Sequence, residues 1–472
     1  MKKLILLMTL LLSVTASAFA EDVLIDGLWY GLSSETSEAQ VIKYKNNVEY
    51  SGDIVIPSTV EYNDKVYSVT SIQSNAFGYC WDLVSVVIPN SVTSIGSCAF
   101  QACRYLLSVS IPNSLTRIEE GTFSGCSSLP SVTIPNSVEY IGSGAFSGCS
   151  GLNYINITDL TAWCHITFEN GKYPDNPLFE AHHLFLNEEE IKDLVIPDGV
   201  TRIKECAFAG CTGLTSVTIP NSVTDIEGWA FYGCASLTSI TIGNGLTYSG
   251  NNPFWECDAI TSVHITDLEA WCGIDFMSVA SNPLFYAHHL FLNGEEVTDL
   301  VIPSTLTTIR NNVFYSCKGL TSVVIPNEVK TIGKSAFAEC SNITTITLGS
   351  GLTRLGELAF YNSGGLQLKD VYCYAVDIPE GYTNTWRKKE AQEATLHVPQ
   401  ASVENYMYEF PWNYFKEIVP LEDDDPNPSL IAEIDGVESR AEVYNLIGNR
   451  VSQPTKNGLY IIKGKKVIIK NK

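Results

Sequence analysis

Two pairs of adjacent histidines are the residues whose type and spacing most directly suggest metal chemistry. They are His182-His183 and His288-His289, and each pair follows a Trp-Cys dipeptide, at 163–164 and 271–272. Imidazole and thiolate groups are common zinc ligands. Adjacent residues of a strand point to opposite faces, however, so the two histidines of one pair cannot bind the same ion. We therefore predict packing within a repeated unit, with no metal and no cofactor; one metal site in each copy is the alternative.

Nine of the fourteen cysteines occupy one position of an internal repeat, and Ser363 takes that position in the tenth copy. Equivalent side chains of stacked repeats point in the same direction, whereas a disulfide needs Cβ atoms that are turned toward each other. The chain also lacks the C-x-x-C pairs of zinc sites. We therefore predict buried free thiols. The nine positions are Cys80, Cys103, Cys126, Cys149, Cys211, Cys234, Cys257, Cys317 and Cys340.

No set of residues in the sequence suggests catalysis. The chain contains no H-E-x-x-H, no G-x-S-x-G and no phosphate-binding loop. His165 follows Cys164 in the first copy, but Gly273 replaces that histidine in the second copy. The repeat explains the other cysteines as core residues, so we predict that the protein is not an enzyme and has no catalytic residues.

A 23-residue repeat determines the elements that position these side chains. Its first clear copy reads WDLVSVVIPNSVTSIGSCAFQAC. Val and Ile alternate with Ser or Thr, which is the period of a strand with one buried face. Pro ends the strand, Asn-Ser begins a turn, and Ala-Phe-x-x-Cys predicts a short helical turn that buries the Phe. One unit cannot bury its apolar face alone, but stacked units can. The copies lie at 81–103, 104–126, 127–149, 212–234, 235–257, 318–340 and 341–363.

Two segments interrupt this period in the same way, at 156–197 and 264–303. Each contains H-L-F-L-N, a polar turn and D-L-V-I-P, a pattern that predicts a β-hairpin. In the second segment the turn is Asn293-Gly294, the favoured two-residue hairpin connection. We interpret both segments as variant modules of the repeat and not as separate domains.

The solvent side of the repeated strands is the predicted ligand-binding surface. Hydroxyl side chains alternate there with buried Val and Ile, and they offer many weak hydrogen bonds but no deep pocket. Such a surface suits an extended protein or glycan ligand; the alternative is that these residues only reflect β-propensity. We call these positions the strand face. They are Ser108, Ser110, Ser131, Thr133, Ser216, Thr218, Ser239, Thr241, His264, Thr345 and Thr347.

The signature N-S-V-T-S-I-G-x-x-A-F-x-G-C, at a spacing of 23 residues, resembles the BspA-like family of bacterial surface leucine-rich-repeat proteins. The resemblance covers roughly residues 21–421. It implies an extracellular adhesin that binds host matrix proteins or other microbes, of the kind found in gut and oral Bacteroidetes. The expected fold class is α/β: a curved leucine-rich-repeat solenoid with parallel strands, short helical turns, a cap at each end and a small β tail.

The two ends of the repeat region predict export and capping. Residues 1–20 contain two Lys, an apolar run and a final A-F-A, the pattern of a secretory signal peptide. An alternating stretch at 21–52 predicts an N-terminal β cap. The repeat region then covers 53–365, and the aromatic-rich segment 366–421 predicts a C-terminal cap.

The C-terminal region is predicted to contain a linker and a small domain. Residues 422–429 are acidic and contain two Pro, which predicts an extended linker. The spaced acids and the Gly of an EF-hand loop are missing, so a calcium site is disfavoured. Residues 430–472 alternate as short strands, and their V-Y-N-L-x-G-x-R-V and G-L-Y-I motifs resemble the sorting domains of the type IX secretion system. This resemblance implies contact with secretion machinery; the alternative is a β add-on that docks on the body.

The charge balance narrows the class of partner. The formal net charge of −23 argues against binding to nucleic acid or to anionic lipid. No run reaches the length of about 18 apolar residues that a transmembrane segment needs. We therefore expect a secreted or outer-surface protein that binds an extracellular protein or glycan. The alternatives are a structural surface scaffold without a specific ligand and a metal-dependent glycan-binding accessory protein.

Overall fold

The computed structural model describes residues 21–45, 49–169, 176–365, 367–422 and 425–426, together with strands between 432 and 470. The predicted signal peptide at 1–20 lies outside the described residues, as does most of the predicted linker. Two compact units divide the chain. The first unit comprises residues up to 192 with 203–214 and 230–234, and the second comprises 193–202, 215–229 and residues from 235 onward.

The first unit begins with a mostly antiparallel sheet, in the order β1-β2-β3-β6-β5, to which β8 adds beside β6. Its strands are β1 (Glu21–Ile25), β2 (Leu28–Ser33), β3 (Glu38–Val41), β5 (Thr59–Tyr62), β6 (Lys65–Ile72) and β8 (Ser94–Ile95). Val23, Tyr30 and Val41 are buried on one side of this sheet. The alternating stretch at 21–52 therefore contains strands β1, β2 and β3, and the sheet extends beyond it to β5, β6 and β8.

Parallel ladders fill the rest of the first unit. They pair residues 23 positions apart between regular repeats, such as Ser131 with Tyr154 and Arg117 with Tyr140, and 27 or 29 positions apart at the variant module. The longer strands are β4 (Gly52–Val55), β7 (Leu83–Val87), β9 (Ser108–Ser110), β11 (Ser131–Ile134), β13 (Tyr154–Ile157) and β15 (Leu184–Leu186), with β16 (Glu189–Glu190) antiparallel to β15. The shorter strands are β10 (Arg117–Ile118), β12 (Tyr140–Ile141) and β14 (Thr167–Phe168). The predicted repeat of parallel strands is confirmed.

The second unit repeats this plan with two six-stranded sheets. The first sheet contains β17 (Asp193–Val195), β19 (Ser216–Ile219), β21 (Ser239–Ile242), β23 (Ser262–Ile265), β25 (Leu290–Leu292) and β26 (Glu295–Glu296). The second contains β27 (Asp299–Val301), β29 (Ser322–Ile325), β31 (Thr345–Leu348), β33 (Asp370–Cys373), β34 (Thr395–Val398) and β35 (Glu417–Pro420). The strands of the predicted C-terminal cap therefore continue the parallel sheet of the last repeats.

Short strands accompany these sheets, and the tail forms a sheet of its own. The short strands are β18 (Arg202–Ile203), β20 (Asp225–Ile226), β22 (Tyr248–Ser249), β24 (Asp275–Phe276), β28 (Thr308–Ile309), β30 (Thr331–Ile332) and β32 (Arg354–Leu355). The tail strands are β36 (Ala432–Asp435), β37 (Val443–Asn445), β38 (Arg450–Val451), β39 (Gly458–Ile462) and β40 (Lys465–Lys470), in the order β36-β40-β39-β37-β38.

Helices are few and short in the described residues. Asp159 and Asp267 cap the first helix of each variant module by accepting backbone N–H groups. The helices are α1 (Leu160–His165), α2 (Leu178–Ala181), α3 (Leu268–Cys272), α4 (Leu284–Ala287), α5 (Lys388–Ala391) and α6 (Val403–Tyr408), with 3-10 turns at Val279–Ser281, Gln400–Ser402 and Trp412–Tyr414. No helix in the described part of the chain is long and apolar enough to cross a membrane.

The predicted helical turn at Ala-Phe-x-x-Cys is wrong. Two residues four positions apart have positive φ in this segment, for example Cys98 and Ala102, both at 58°. Each left-handed residue breaks the helical path. The amide of Phe100 therefore donates to the next repeat, at Thr122 O (2.8 Å), while that of Cys103 donates within its own turn to Phe100 O (3.3 Å). The segment forms a ladder of turns in which alternate amides join neighbouring repeats.

Stacked phenylalanines form the centre of each repeat. In the first unit, the ring centroids of Phe77, Phe100, Phe123 and Phe146 are 4.9, 5.4 and 5.3 Å apart. In the second unit, Phe314, Phe337 and Phe360 stack at 5.2 Å intervals. Trp386 of the last segment extends this stack at 4.8 Å from Phe360. A ring in each repeat therefore packs against the rings before and after it.

The column cysteines form no disulfide bonds, and several of them donate to carbonyl groups of the stacked phenylalanines. Cys103 Sγ donates to the carbonyl of Phe77 at 3.1 Å, and Cys126 Sγ to that of Phe100 at 3.2 Å. None of the fourteen cysteines forms a disulfide bond, and thirteen of them are buried while Cys98 is half-buried. The prediction of buried free thiols is confirmed, and the thiols also bond one repeat to the preceding one.

The thirteen buried thiols should react only after the chain unfolds. Burial raises the pKa of Cys80 and of Cys164 to about 12, so at pH 8 both stay protonated. We expect a colorimetric thiol reagent at pH 8 to label about one site, Cys98, in the folded chain, and all fourteen in denaturant. Fewer than fourteen reactive thiols in unreduced, denatured protein would contradict the free-thiol assignment.

Candidate functional site: the strand face and the variant modules

The strand face lines up in register within the second unit. Ser216 pairs with Ser239, and Thr218 pairs with Thr241, which in turn pairs with His264. In the first unit Ser108, Ser110 and Thr133 are exposed and Ser131 is half-buried. In the second unit the half-buried members are Ser216, Thr218, Ser239, Thr241, His264 and Thr345. The structure thus brings the members on β19, β21 and β23 into rows, whereas Ser108 and Ser131 of the first unit pair with Ser85 and Tyr154, which lie outside the strand face.

Thr347 is the exception, because it is only 1% exposed. The register places it between Val324 and Tyr372. Val324 is itself 5% exposed, and the Tyr372 ring stacks on His397 with centroids 4.4 Å apart. The bulk of these neighbours keeps water from the Thr347 hydroxyl. The expectation that Thr347 is an exposed binding residue is therefore wrong.

An aspartate at the start of three ladders is a feature that the sequence reasoning missed. Ser216 Oγ donates to Asp193 Oδ1 at 2.6 Å, and Ser322 Oγ to Asp299 Oδ1 at 2.6 Å. Asp53 accepts in the same way from Ser85 Oγ at 2.5 Å. The signal was present in the sequence, because each of these aspartates begins a D-[IL]-V-I-P segment. A carboxylate therefore joins the hydroxyls at one end of each ladder.

Aromatic rings end the hydroxyl rows at the variant modules. His264 stacks on Phe291 of β25, with ring centroids 4.8 Å apart. In the first unit the ring centroid of Phe185, on β15, lies 4.5 Å from that of Tyr154. The antiparallel strands β16 and β26 then end the two sheets, so each module has a hairpin after H-L-F-L-N. The predicted second strand is wrong, because H-L-F-L-N pairs with Glu189–Glu190 or Glu295–Glu296, and the D-L-V-I-P strands begin the next parallel ladders. The hydroxyl rows of β19, β21 and β23 are consequently bounded by Asp193 at one end and by the His264–Phe291 stack at the other.

The adjacent histidines have different protein partners in both copies. His183 Nδ1 lies 2.6 Å from Glu190 Oε1, and His289 Nδ1 lies 2.6 Å from Glu296 Oε1. His182 and His288 end short helices in the left-handed conformation, both with φ 63°. Among the residues that the structure describes, no group of three or more His, Cys, Asp or Glu is arranged to hold a metal ion.

The surroundings of Glu190 and His288 lower the pKa values of both groups. Partial burial acts to raise the pKa of Glu190, but the hydrogen bond from His183 and the charge of Lys192 outweigh it, so the pKa is lowered. Burial, with the charge of Lys318, lowers the pKa of His288 and favours its neutral ring. Both groups therefore serve as hydrogen-bonding partners within the module.

A buried asparagine in each module is the second feature that the sequence reasoning missed. Asn282 is fully buried, and its Nδ2 donates to the carbonyls of Asn312 and Val313 at 2.7 and 2.9 Å. Its Oδ1 accepts from the amide of Leu284 at 2.9 Å. Asn176 makes the same three bonds in the first unit. The shared N-P-L-F motif was the signal for this role.

Comparisons with known proteins agree with this architecture. The family model described as "BspA type Leucine rich repeat region" matches in six copies, at residues 58–173, 181–273 and 286–375, more than half of the chain. A leucine-rich repeat protein from Bacteroides ovatus ATCC 8483 is 22% identical, with 85% of this chain and 100% of that chain covered and a TM-score of 0.54. A leucine rich cell surface protein from Faecalibacterium prausnitzii A2-165 is 24% identical, with 85% and 95% covered and a TM-score of 0.37. No curated protein matches the chain. The expected fold class is confirmed as a leucine-rich repeat with many parallel strands and few short helices.

Proposed function

Because this chain belongs to the BspA-type leucine-rich-repeat family, we propose that it is a secreted or outer-surface protein that binds an extracellular protein or glycan. The ligand is a host matrix protein or a component of another microbe. The strand face carries the binding, and the protein is not an enzyme. The C-terminal tail directs the chain to secretion machinery.

The observation that carries this proposal is the row of hydroxyls in register on β19, β21 and β23. Ser216, Ser239 and Ser262 form one row, and Thr218 and Thr241 begin the second. Asp193 adds a carboxylate at one end, and the stack of His264 on Phe291 lies at the other. Such a surface makes many modest hydrogen bonds with an extended ligand and suits recognition over a long interface.

The location is tested on intact cells. The signal-peptide pattern at 1–20 and the small tail sheet support export of the chain. Protease added to intact cells should therefore remove the protein, while a cytoplasmic enzyme in the same cells stays intact. A pool that resists protease until the cells are broken would contradict the surface location.

Charge introduced at Ser216 and Thr218 tests the binding surface. Both are half-buried at the solvent side of β19, so Lys at these two positions extends outward without opening the core. We expect the double variant to bind its ligand at least ten times more weakly, because it loses the first hydroxyl of each row and adds two bulky charged side chains there. The matched control is Ser304→Lys with Thr305→Lys, two exposed hydroxyl residues in the turn after β27 that do not belong to the strand face. Unchanged affinity, with an unchanged melting temperature, would place the site elsewhere.

A further inference from the structure

The first repeats carry exposed apolar side chains at positions where later repeats carry threonine. Trp81, Tyr105 and Leu107 are 50%, 61% and 54% exposed, in the loop that leads from the buried cysteine to the strand. The equivalent residues in the second set of repeats are Thr212, Ser236 and Thr238. We call this group the apolar edge. It comprises the exposed Tyr79, Trp81, Tyr105, Leu107 and Pro130 and the half-buried Val84.

The fold does not require apolar residues at these positions. In the second unit Thr238 Oγ1 donates to Thr215 O at 3.0 Å, and Thr261 Oγ1 to Thr238 O at 3.2 Å. In the first unit the backbone ladder is kept, because Leu107 N donates to Val84 O at 2.8 Å. Leu107 lacks only the hydroxyl group that threonine supplies at the equivalent position of the second unit. The apolar edge therefore exposes hydrophobic side chains that the repeat itself can replace with threonine or serine.

A contiguous exposed group of aromatic and aliphatic side chains marks an interaction surface. Trp, Tyr and Arg dominate the energy of protein interfaces, and Arg104 adjoins this group. Val84, Leu107 and Pro130 have aliphatic side chains that give the hydroxyls of a sugar no hydrogen bond. The mixture of aliphatic and aromatic residues therefore favours a protein partner over a glycan.

The negative charges around the apolar edge favour a cationic protein partner. Asp82 follows Trp81 and is exposed, as is Asp53 on the adjoining strand β4. The whole chain has a net charge of −23, which attracts cationic partners. The guanidinium of Arg104 already lies over the Trp81 ring, 5.6 Å from its centroid. Tyr105 presents a similar ring to solvent, so it can receive a Lys or Arg of a partner in the same way.

We propose that the apolar edge binds a cationic protein segment that carries exposed apolar side chains. This inference rests on the proposed binding function and names a second surface and a partner class for it. The partner's aliphatic or aromatic residues pack on Leu107 and Pro130, and its cations face Tyr105 and Asp82. A second copy of this chain does not fit, because it has the same strongly negative charge.

The test uses the full chain and three sets of immobilised 12-residue peptides. The first set is cationic with Leu, Phe or Trp residues, the second is cationic without them, and the third is acidic with them. The triple variant Trp81→Thr, Tyr105→Ser and Leu107→Thr installs the residue types found at the equivalent positions of later repeats. Trp255→Ser is the matched control, because Trp255 is 43% exposed in the second unit and Ser124 is its counterpart.

We expect the full chain to bind the first peptide set at least ten times more tightly than the other two. The triple variant should lose this preference, and the control should keep it. If the triple variant melts at a lower temperature than the control, Leu107→Thr alone provides the comparison. Equal binding to all three sets, or an unchanged preference in the folded triple variant, would overturn the inference. The proposed function is judged separately, by the Ser216 and Thr218 variants against matrix proteins and glycans.

Discussion

Replacing Phe123 with alanine should lower the free energy of unfolding by about 3–5 kcal/mol. Phe123 is 1% exposed, and its ring stacks between Phe100 and Phe146 with centroids 5.4 and 5.3 Å away. Alanine removes the apolar ring surface that folding buries, and it leaves a cavity between two rings that the backbone ladders hold apart. The neighbouring rings cannot close this gap, because each belongs to a repeat fixed by its own strands.

Urea denaturation of the wild type and the Phe123→Ala variant measures this effect. Tyr105→Ala is the matched control, because Tyr105 is 61% exposed in the same repeat, and we expect it to cost less than about 1 kcal/mol. An equal loss in the two variants would show that the stacked rings do not stabilise the repeats more than surface aromatic residues do.

The second large effect is expected at Asn282. Alanine there removes the donor for two buried carbonyls and the acceptor for one amide, and each unsatisfied buried group costs about 1–3 kcal/mol. These costs are not additive, so we expect a loss of about 2–4 kcal/mol. Asn282→Asp should be at least as harmful, since it keeps the acceptor but places a carboxylate beside two carbonyl oxygens.

Thermal and chemical denaturation of the two Asn282 variants provide the measurement. The exposed Asn153 supplies the control, and Asn153→Ala should remain within about 0.5 kcal/mol of the wild type. If Asn282→Ala matched Asn153→Ala, water would have to satisfy the freed carbonyls, and the bonding role of the N-P-L-F motif would be wrong.

The strands were predictable from the sequence because their signal is local and repeated. The alternation of Val and Ile with Ser and Thr produced β19 and β21, and the Asn293-Gly294 turn produced the β25–β26 hairpin. Spacing by 23 residues also predicted which residues pair. The register of a stacked repeat follows directly from its period.

The turn segment was not predictable, because its geometry has no consistent residue type. Gly121 and Gly125 have positive φ, as glycine allows, but Cys98 and Ala102 adopt the same conformation one repeat earlier. The hydrogen bonds between neighbouring repeats hold these residues in a conformation that they do not favour alone. The burial of Thr347 could not be predicted from the repeat either. It depends on Tyr372, which lies in the segment where the 23-residue period ends.

The partner of the strand face depends on side-chain contacts with a second molecule, which the repeat pattern does not encode. The rows of hydroxyls, the aspartates that begin the ladders and the rings that end them describe a surface suited to extended ligands.

Binding of the purified full chain to immobilised host matrix proteins and microbial glycans tests the central claim most directly. We predict saturable binding to at least one of these surfaces, and a loss of at least tenfold in affinity when Ser216 and Thr218 are both replaced by lysine. The absence of saturable binding to every member of the panel, by a chain shown to be folded, would contradict the proposed function.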